Sequence, residues 1–245
     1  MRPAPDPLLT LLLPGLDGSG RLFDRFRAAA VGGPLELRTV SYPGDRVLAY
    51  AELEARVVRD LPTDRPFALL AESFSGPVAL RVAARAPPGL VGVVLAASFH
   101  RRPASPAVAA LEVLAPLFFR LPLPAHAVRL LLGGGDAADD LVAEVQRAVA
   151  AVPGRVMLAR TQEALRVDAT DALRACPVPL LFLCGAADRL LRRALAEEVR
   201  AARPDAEIRT LAAPHLVLQR QPREALAVIA QFLVDCARRQ GGRVA

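Results

Sequence analysis

Ala71-Glu72-Ser73-Phe74-Ser75-Gly76 is the stretch on which the reading of the whole chain turns. Before it runs Phe67-Ala68-Leu69-Leu70, apolar throughout and without helical period. After it comes Pro77-Val78-Ala79-Leu80-Arg81-Val82-Ala83-Ala84, which has the pattern of a helix. A strand that turns at once into a helix around small-x-Ser-x-small holds the middle serine in a sharp bend. Its neighbours two residues away on either side must then be small, and Ala71 and Ser75 meet that demand. A helix opening at Phe74 directs unpaired N–H groups, and the positive end of its dipole, toward charge forming nearby. Pro77 falls in the first turn, where its missing N–H costs little. A buried strand, tight turn and helix of any α/β protein would read the same way, so the remaining sequence has to decide.

Composition narrows the choice. The 245 residues are 53% hydrophobic and 23% charged, which describes a globular chain able to bury a sizeable core in one domain. The formal charge of +6 invites a polyanion partner, yet all 31 basic residues are Arg, and they are scattered without a basic run. Arg without any Lys reflects the coding bias of a GC-rich genome, and nucleic-acid binding is not expected. Cys176, Cys184 and Cys236 stand far apart and odd in number, which suits buried thiols in a reducing compartment better than a disulfide or metal framework. No metal or cofactor is expected. The apolar run Leu8 to Leu13 is too short and too crowded by Pro3, Pro5 and Pro7 for a signal peptide, and no run reaches membrane-spanning length. The expected location is the cytoplasm.

Taken in order, Leu8 to Leu13 reads as a strand covered on both faces, followed by the turn Pro14-Gly15-Leu16-Asp17-Gly18-Ser19-Gly20 and a helix from Leu22. Leu35 to Ser41 alternates and reads as a strand near an edge. Ala51 to Leu61 is helical, and Val91 to Ala97 is a further buried strand. From His100 to Pro177 no strand is evident. Helices are expected there opened by Ser105-Pro106, by Pro124, by Asp136 or Asp139, and by Pro153, with Thr170 capping a short fifth. Val178 to Gly185 is a strand, Leu190 to Ala202 a helix, Ile208 to Leu211 a short strand and Pro222 to Arg239 a final helix. Strands alternating with helices predict a mostly parallel sheet flanked by helices. The helical block between two strands is too long for a crossover. It defines an inserted all-helical cap at 100–177, with the core formed by 1–99 and 178–245.

A nucleophilic Ser73 requires a base and an acid that orients it. Of the three histidines, His100 and His126 belong to the helical block, whereas His215 follows the last strand, at the sheet end where active sites collect. Asp188, in Gly185-Ala186-Ala187-Asp188, follows the preceding strand; a helix N-cap is its competing role. Ser73, Asp188, His215 is the chain order of the α/β-hydrolases. The chain resembles that superfamily in four places: Pro14 to Gly20 looks like its oxyanion loop, Ala71 to Gly76 its elbow, Gly185 to Asp188 its acid turn and Pro214 to Pro222 its histidine loop. Pro14 replaces a commoner His. The resemblance spans 8–239 and implies an oxyanion hole from the Leu16 and Phe74 N–H groups, and a chain without the family's first hairpin.

The resemblance implies a serine hydrolase of the carboxylesterase kind, acting on esters or thioesters of small to medium apolar acyl groups through an acyl-enzyme. An acyltransferase or lyase on the same triad, or a non-catalytic binding protein on the same fold, is the alternative. Gly15-x-x-Gly18-x-Gly20 also resembles a dinucleotide turn, but it departs from the G-x-G-x-x-G fingerprint. Phe118 and Phe119, in a proline-broken apolar segment, are expected to line an acyl pocket or else to glue the cap to the core. Arg101, Arg102, Arg120 and Arg129 could steer an acidic acyl carrier, or merely form a solvated face.

Overall fold

In the computed structural model, residues 6–103, 108, 119, 121–191 and 194–241 are described. The first half runs β1 (Leu8–Leu13), a 3-10 turn (Arg21–Phe23), α1 (Asp24–Ala29), β2 (Leu35–Thr39), α2 (Tyr50–Arg59) and β3 (Phe67–Glu72). A second 3-10 turn (Ser73–Ser75), α3 (Gly76–Ala84) and β4 (Leu90–Ala96) follow. Then come α4 (Ala125–Val128), a π turn (Arg129–Gly133), α5 (Asp139–Ala150), α6 (Gly154–Arg166) and α7 (Thr170–Ala175). The chain ends with β5 (Leu180–Gly185), α8 (Ala194–Ala202), β6 (Glu207–Leu211), α9 (Val217–Arg220) and α10 (Pro222–Gly241).

All six strands are parallel, in the order β2-β1-β3-β4-β5-β6. The alternating β2 lies at one edge, as its pattern predicts, and every residue of β3 and β4 is buried. Because side chains alternate across a strand, the apolar run of β1 divides between two cores. Leu9, Leu11 and Leu13 join Leu69, Leu95 and Phe182 beneath the face covered by α2, α3, α7 and α8. Leu12 joins Leu70, Val94 and Leu183 on the face covered by α1 and α10. That is why the central strands read as continuous hydrophobic runs. Cys176, Cys184 and Cys236 are free thiols.

Asp139, one of the two starts the sequence offers, is the first residue of α5; Ala138 holds the N-cap, and the charges of Asp139 and Asp140 in the first turn suit the dipole. Thr170 is the first residue of α7, not its cap; the Asp168 carboxylate accepts the Thr170 N–H at 2.8 Å. The helix expected at Ser105-Pro106 lies outside the described residues. Between β4 and β5 the described residues form helices and one isolated antiparallel bridge, Arg101 to Asp168. Val128, Leu141 and Val145 of this segment pack on Leu216, so the helices rest on the loop that carries His215. Among the described residues no helix is long and apolar enough to cross a membrane.

Candidate active site

β3 delivers Ser73 at its carboxyl end, and there the backbone bends into the left-handed region: Ser73 has φ +48°. A non-glycine residue there stores about 1–3 kcal/mol of strain, which the surroundings must hold. They do so at three points. The Ser98 hydroxyl donates to the Ser73 carbonyl at 2.5 Å. Gly76 has no space for a Cβ, which would meet Ser98 Oγ and the Phe99 carbonyl. Ser75 is wholly buried, donates to the Pro14 carbonyl and stands 2.7 Å from Tyr42 Oη. Smallness is therefore only half of what Ser75 contributes, since its hydroxyl also ties the elbow to the loop after β1. The helical part opens one residue earlier than expected, as a 3-10 turn from Ser73, with α3 following at Gly76.

Ser73 Oγ stands 3.0 Å from His215 Nε2, and His215 Nδ1 stands 2.8 Å from Asp188 Oδ2. An ionised carboxylate can only accept, so the imidazole proton is on Nδ1 and Nε2 is left to accept from Ser73. The other Asp188 oxygen, Oδ1, accepts the N–H groups of Leu190 and Leu191 at 2.8 and 2.9 Å. Each oxygen thus has the geometry of one of the two roles considered: Oδ2 faces His215 and Oδ1 faces the Leu190–Leu191 turn. Burial pulls the His215 imidazole down, but the charge and hydrogen bond of Asp188, with Glu72 nearby, leave it above its ordinary value. Burial pushes the Asp188 carboxyl up, but His215 and the two backbone donors hold it below the usual range. Gly185 lets the two loops meet, since a Cβ there would strike the Ala213 and Pro214 carbonyls.

The loop after β1 is fixed carbonyl by carbonyl. Pro14 O accepts from Ser75, Gly15 O from the Gly18 N–H at 3.0 Å, and Gly18 O from the Tyr42 N–H at 2.7 Å. Leu16 O and Asp17 O both accept from Arg160 Nη1, at 2.8 and 2.7 Å. The Asp17 carboxylate folds back onto the Ser19 N–H and hydroxyl. Among the described residues the Leu16 N–H has no acceptor. Phe74, in the first turn of its helix, likewise has an N–H without an intrahelical partner. Leu16 and Phe74 line one cavity together with Ser73 and His215.

Sequence pattern alone does not single out Glu72 or Gln219. Glu72 is buried beside Ser73, lines the cavity and accepts from Gln219 Nε2 at 2.8 Å. Burial raises its carboxyl from 4.5 to about 7, although the Gln219 bond and His215 pull the other way. Between those two values the folded chain holds a proton that the unfolded chain has released. Stability therefore falls as pH rises across that window. Glu72→Gln should abolish the decline, so its melting temperature relative to the parent rises from pH 4 to pH 8. An offset equal at both pH values would contradict the assignment.

The cavity measures about 190 Å³ and is walled by apolar side chains, among them Leu22, Phe99, Phe119, Val149 and Met157. Phe119 thus reaches it, whereas Phe118 lies outside the described residues. His100 is buried and, among the described residues, its Nδ1 has no partner; His126 is exposed. Neither lines the cavity. Arg101 pairs with Glu198 at 3.0 Å and Arg129 with Asp139, while Arg120 lies outside the described residues. Among the described residues no cluster of His, Cys, Asp and Glu could hold a metal ion.

A six-stranded parallel sheet with these loops at its carboxyl ends defines a hydrolase-type α/β protein. The chain belongs to the alpha/beta hydrolase family, whose sequence model matches residues 10–228. Among solved structures it is similar to E-2-(acetamidomethylene)succinate hydrolase, at 20% identity and a TM-score of 0.71, covering 94% of this chain and 91% of that one. The enol-lactonase of Burkholderia xenovorans LB400 is 17% identical with a TM-score of 0.75, over 97% and 93% of the two chains. A thermophilic esterase from Thermogutta terrifontis is 21% identical with a TM-score of 0.76, over 94% and 91%. At such identities the likeness concerns the fold. Among curated proteins none matches the sequence.

Proposed function

We propose that the protein is a serine hydrolase that cleaves carboxylic esters or thioesters of small to medium apolar acyl groups, with Ser73 as nucleophile. The observation that carries this reading is the Ser73 hydroxyl, held by a backbone at φ +48° and placed 3.0 Å from His215 Nε2. His215 takes the Ser73 proton as Oγ attacks the carbonyl carbon, and Asp188 stabilises the imidazolium that forms. The N–H groups of Leu16 and Phe74 receive the negative oxygen of the tetrahedral intermediate. Collapse expels the alcohol or thiol, which takes its proton from His215. Water, deprotonated by the same imidazole, then releases the acid and regenerates Ser73. The helices between β4 and β5 serve as a cap that supplies one wall of the acyl pocket.

The pocket supports the substrate class. Its volume of about 190 Å³ is below the roughly 300–1,000 Å³ of drug-sized sites, which suits a short chain. Each methylene buried adds about 0.8 kcal/mol of binding. The kcat/KM for p-nitrophenyl esters should therefore rise by roughly 15-fold over the two methylenes from acetate to butyrate, and Phe119→Ala should flatten the trend by removing part of the wall. Hydrolysis fastest for acetate and indifferent to Phe119→Ala would reject the acyl-pocket assignment. Absence of turnover across esters and acyl-CoA thioesters would reject the hydrolase reading.

A further inference from the structure

Arg160 is 2% exposed, and among the described residues its hydrogen bonds all go to carbonyls, with no carboxylate in ion-pair contact although the charge of Asp17 is felt through space. Its guanidinium is satisfied by neutral carbonyls: Leu16 O and Asp17 O through Nη1, and Pro43 O at 2.9 Å through Nη2. The Tyr42 ring lies 6.0 Å from Cζ, within reach of a cation–π contact. A buried cation is a costly fastener between two segments, its desolvation being offset only in part by the carbonyl dipoles, the Tyr42 ring and the nearby charge of Asp17. What it supplies, and an apolar side chain could not, is positive potential aimed at particular peptide groups.

Those groups flank the proposed oxyanion donor. A peptide unit is planar and its C=O and N–H point in opposite directions. The unit before Leu16 is tethered through Gly15 O by the Gly18 N–H, and the unit after it through Leu16 O by Arg160. Leu16 is thus fixed on both sides, one tether coming from its own loop and the other from helix α6. Gly18 supports this independently. Its φ is +71°, and a Cβ there would stand 2.5 Å from Arg160 Nη1, so the loop is shaped around the guanidinium. One turn further along α6, Glu163 accepts the Tyr50 N–H at 2.8 Å. Tyr50 in turn donates through its hydroxyl to the Phe74 carbonyl at 2.9 Å. Both sides of the oxyanion hole are therefore tied to the same cap helix.

We propose that Arg160 is a positioning residue through which α6 sets the orientation and potential of the oxyanion loop, making the chemistry of Ser73 dependent on a seated cap. This rests on the hydrolase reading above. Displacing a reacting group by about an ångström costs up to roughly 100-fold in rate, so a change of 10- to 100-fold is expected. It should fall on the transition state and spare the ground state, because Arg160 does not touch the acyl pocket.

The test compares the parent, Arg160→Gln and Arg160→Lys with p-nitrophenyl butyrate. Alongside turnover, binding is measured for a trifluoromethyl ketone, which forms a tetrahedral adduct on Ser73, and for butyrate, which does not. Arg160→Gln should lower kcat and ketone affinity by the same factor, leaving KM and butyrate affinity within about two-fold. Lys keeps the charge but cannot span three carbonyls from one ammonium. It should therefore show the same split, and it decides the matter if the Gln variant does not fold. A loss confined to KM, or kcat unchanged in a folded variant, overturns the role of Arg160 while leaving the hydrolase reading intact. A parent protein that neither turns over esters nor binds the ketone removes both.

Discussion

Ser73→Ala should lower kcat for p-nitrophenyl butyrate by roughly 10⁶-fold, the scale seen when the nucleophile of a serine hydrolase is removed. It should also abolish labelling by a fluorophosphonate, which is expected to add one group per chain of the parent. The substitution is a clean one. Ala keeps the Cβ that Ser73 already accommodates at φ +48°, and the Ser98 bond goes to the backbone carbonyl of residue 73, which is unaltered. Ala removes only the hydrogen bond between Ser73 Oγ and His215 Nε2, worth about 1 kcal/mol net. The melting temperature should accordingly move by a few degrees at most. Ser75 offers no second nucleophile, because it is fully buried and its hydroxyl is committed to Pro14 O and Tyr42. A label that persists in Ser73→Ala, or maps to Ser75, would shift the elbow by two residues and dissolve the assignment.

The features legible in the sequence are those set by local pattern. Phe67 to Leu70 and Val91 to Leu95 are apolar without helical period because both faces of β3 and β4 are covered; Leu35 to Thr39 alternates because one face of β2 is open to solvent. Ser73, Asp188 and His215 can be brought together on paper because each follows a strand, and parallel strands end on the same side of the sheet. What escapes is contact between residues far apart in sequence and unremarkable in themselves. Arg160 reads as one more arginine on an amphipathic helix, and its acceptors lie 144, 143 and 117 residues away. Glu72 reads as the variable position of an elbow; its neighbour Gln219 is 147 residues distant, behind a strand whose burial on both faces the charge alone would deny. The start of α7 departs from the sequence pattern because Ala169 holds an N-cap position that offers no side-chain acceptor. There Asp168, one residue before the cap, accepts the Thr170 N–H instead.

Asp188→Asn is the substitution that separates two roles which the sequence could only set against each other. In the parent, Oδ1 accepts from the Leu190 and Leu191 N–H groups while Oδ2 faces His215 Nδ1 at 2.8 Å. Asn can keep its carbonyl oxygen on the two backbone donors, since turning it away would leave them facing an amide NH₂. Its amide nitrogen then faces Nδ1 and donates, which forces the imidazole proton onto Nε2. An Nε2–H cannot accept the Ser73 proton. The expected fall in kcat is about 10⁴-fold, the loss measured for this change in a serine protease. The stability consequence depends on pH, and its sign follows from the parent's shifts. With His215 held above 6.5, the pair favours the fold at low pH and its contribution is lost as pH rises through the folded value. Asp188, held below 3.8, gives its share above that value and loses it on further acidification. The variant should therefore melt close to the parent at pH 9 and clearly below it at pH 5. The expected signature is a large catalytic loss at pH 8 combined with a stability loss that grows only on acidification. Near-normal turnover with a lowered melting temperature at every pH would instead leave Asp188 as a cap for the Leu190–Leu191 turn and return the search for the orienting acid to the rest of the pocket.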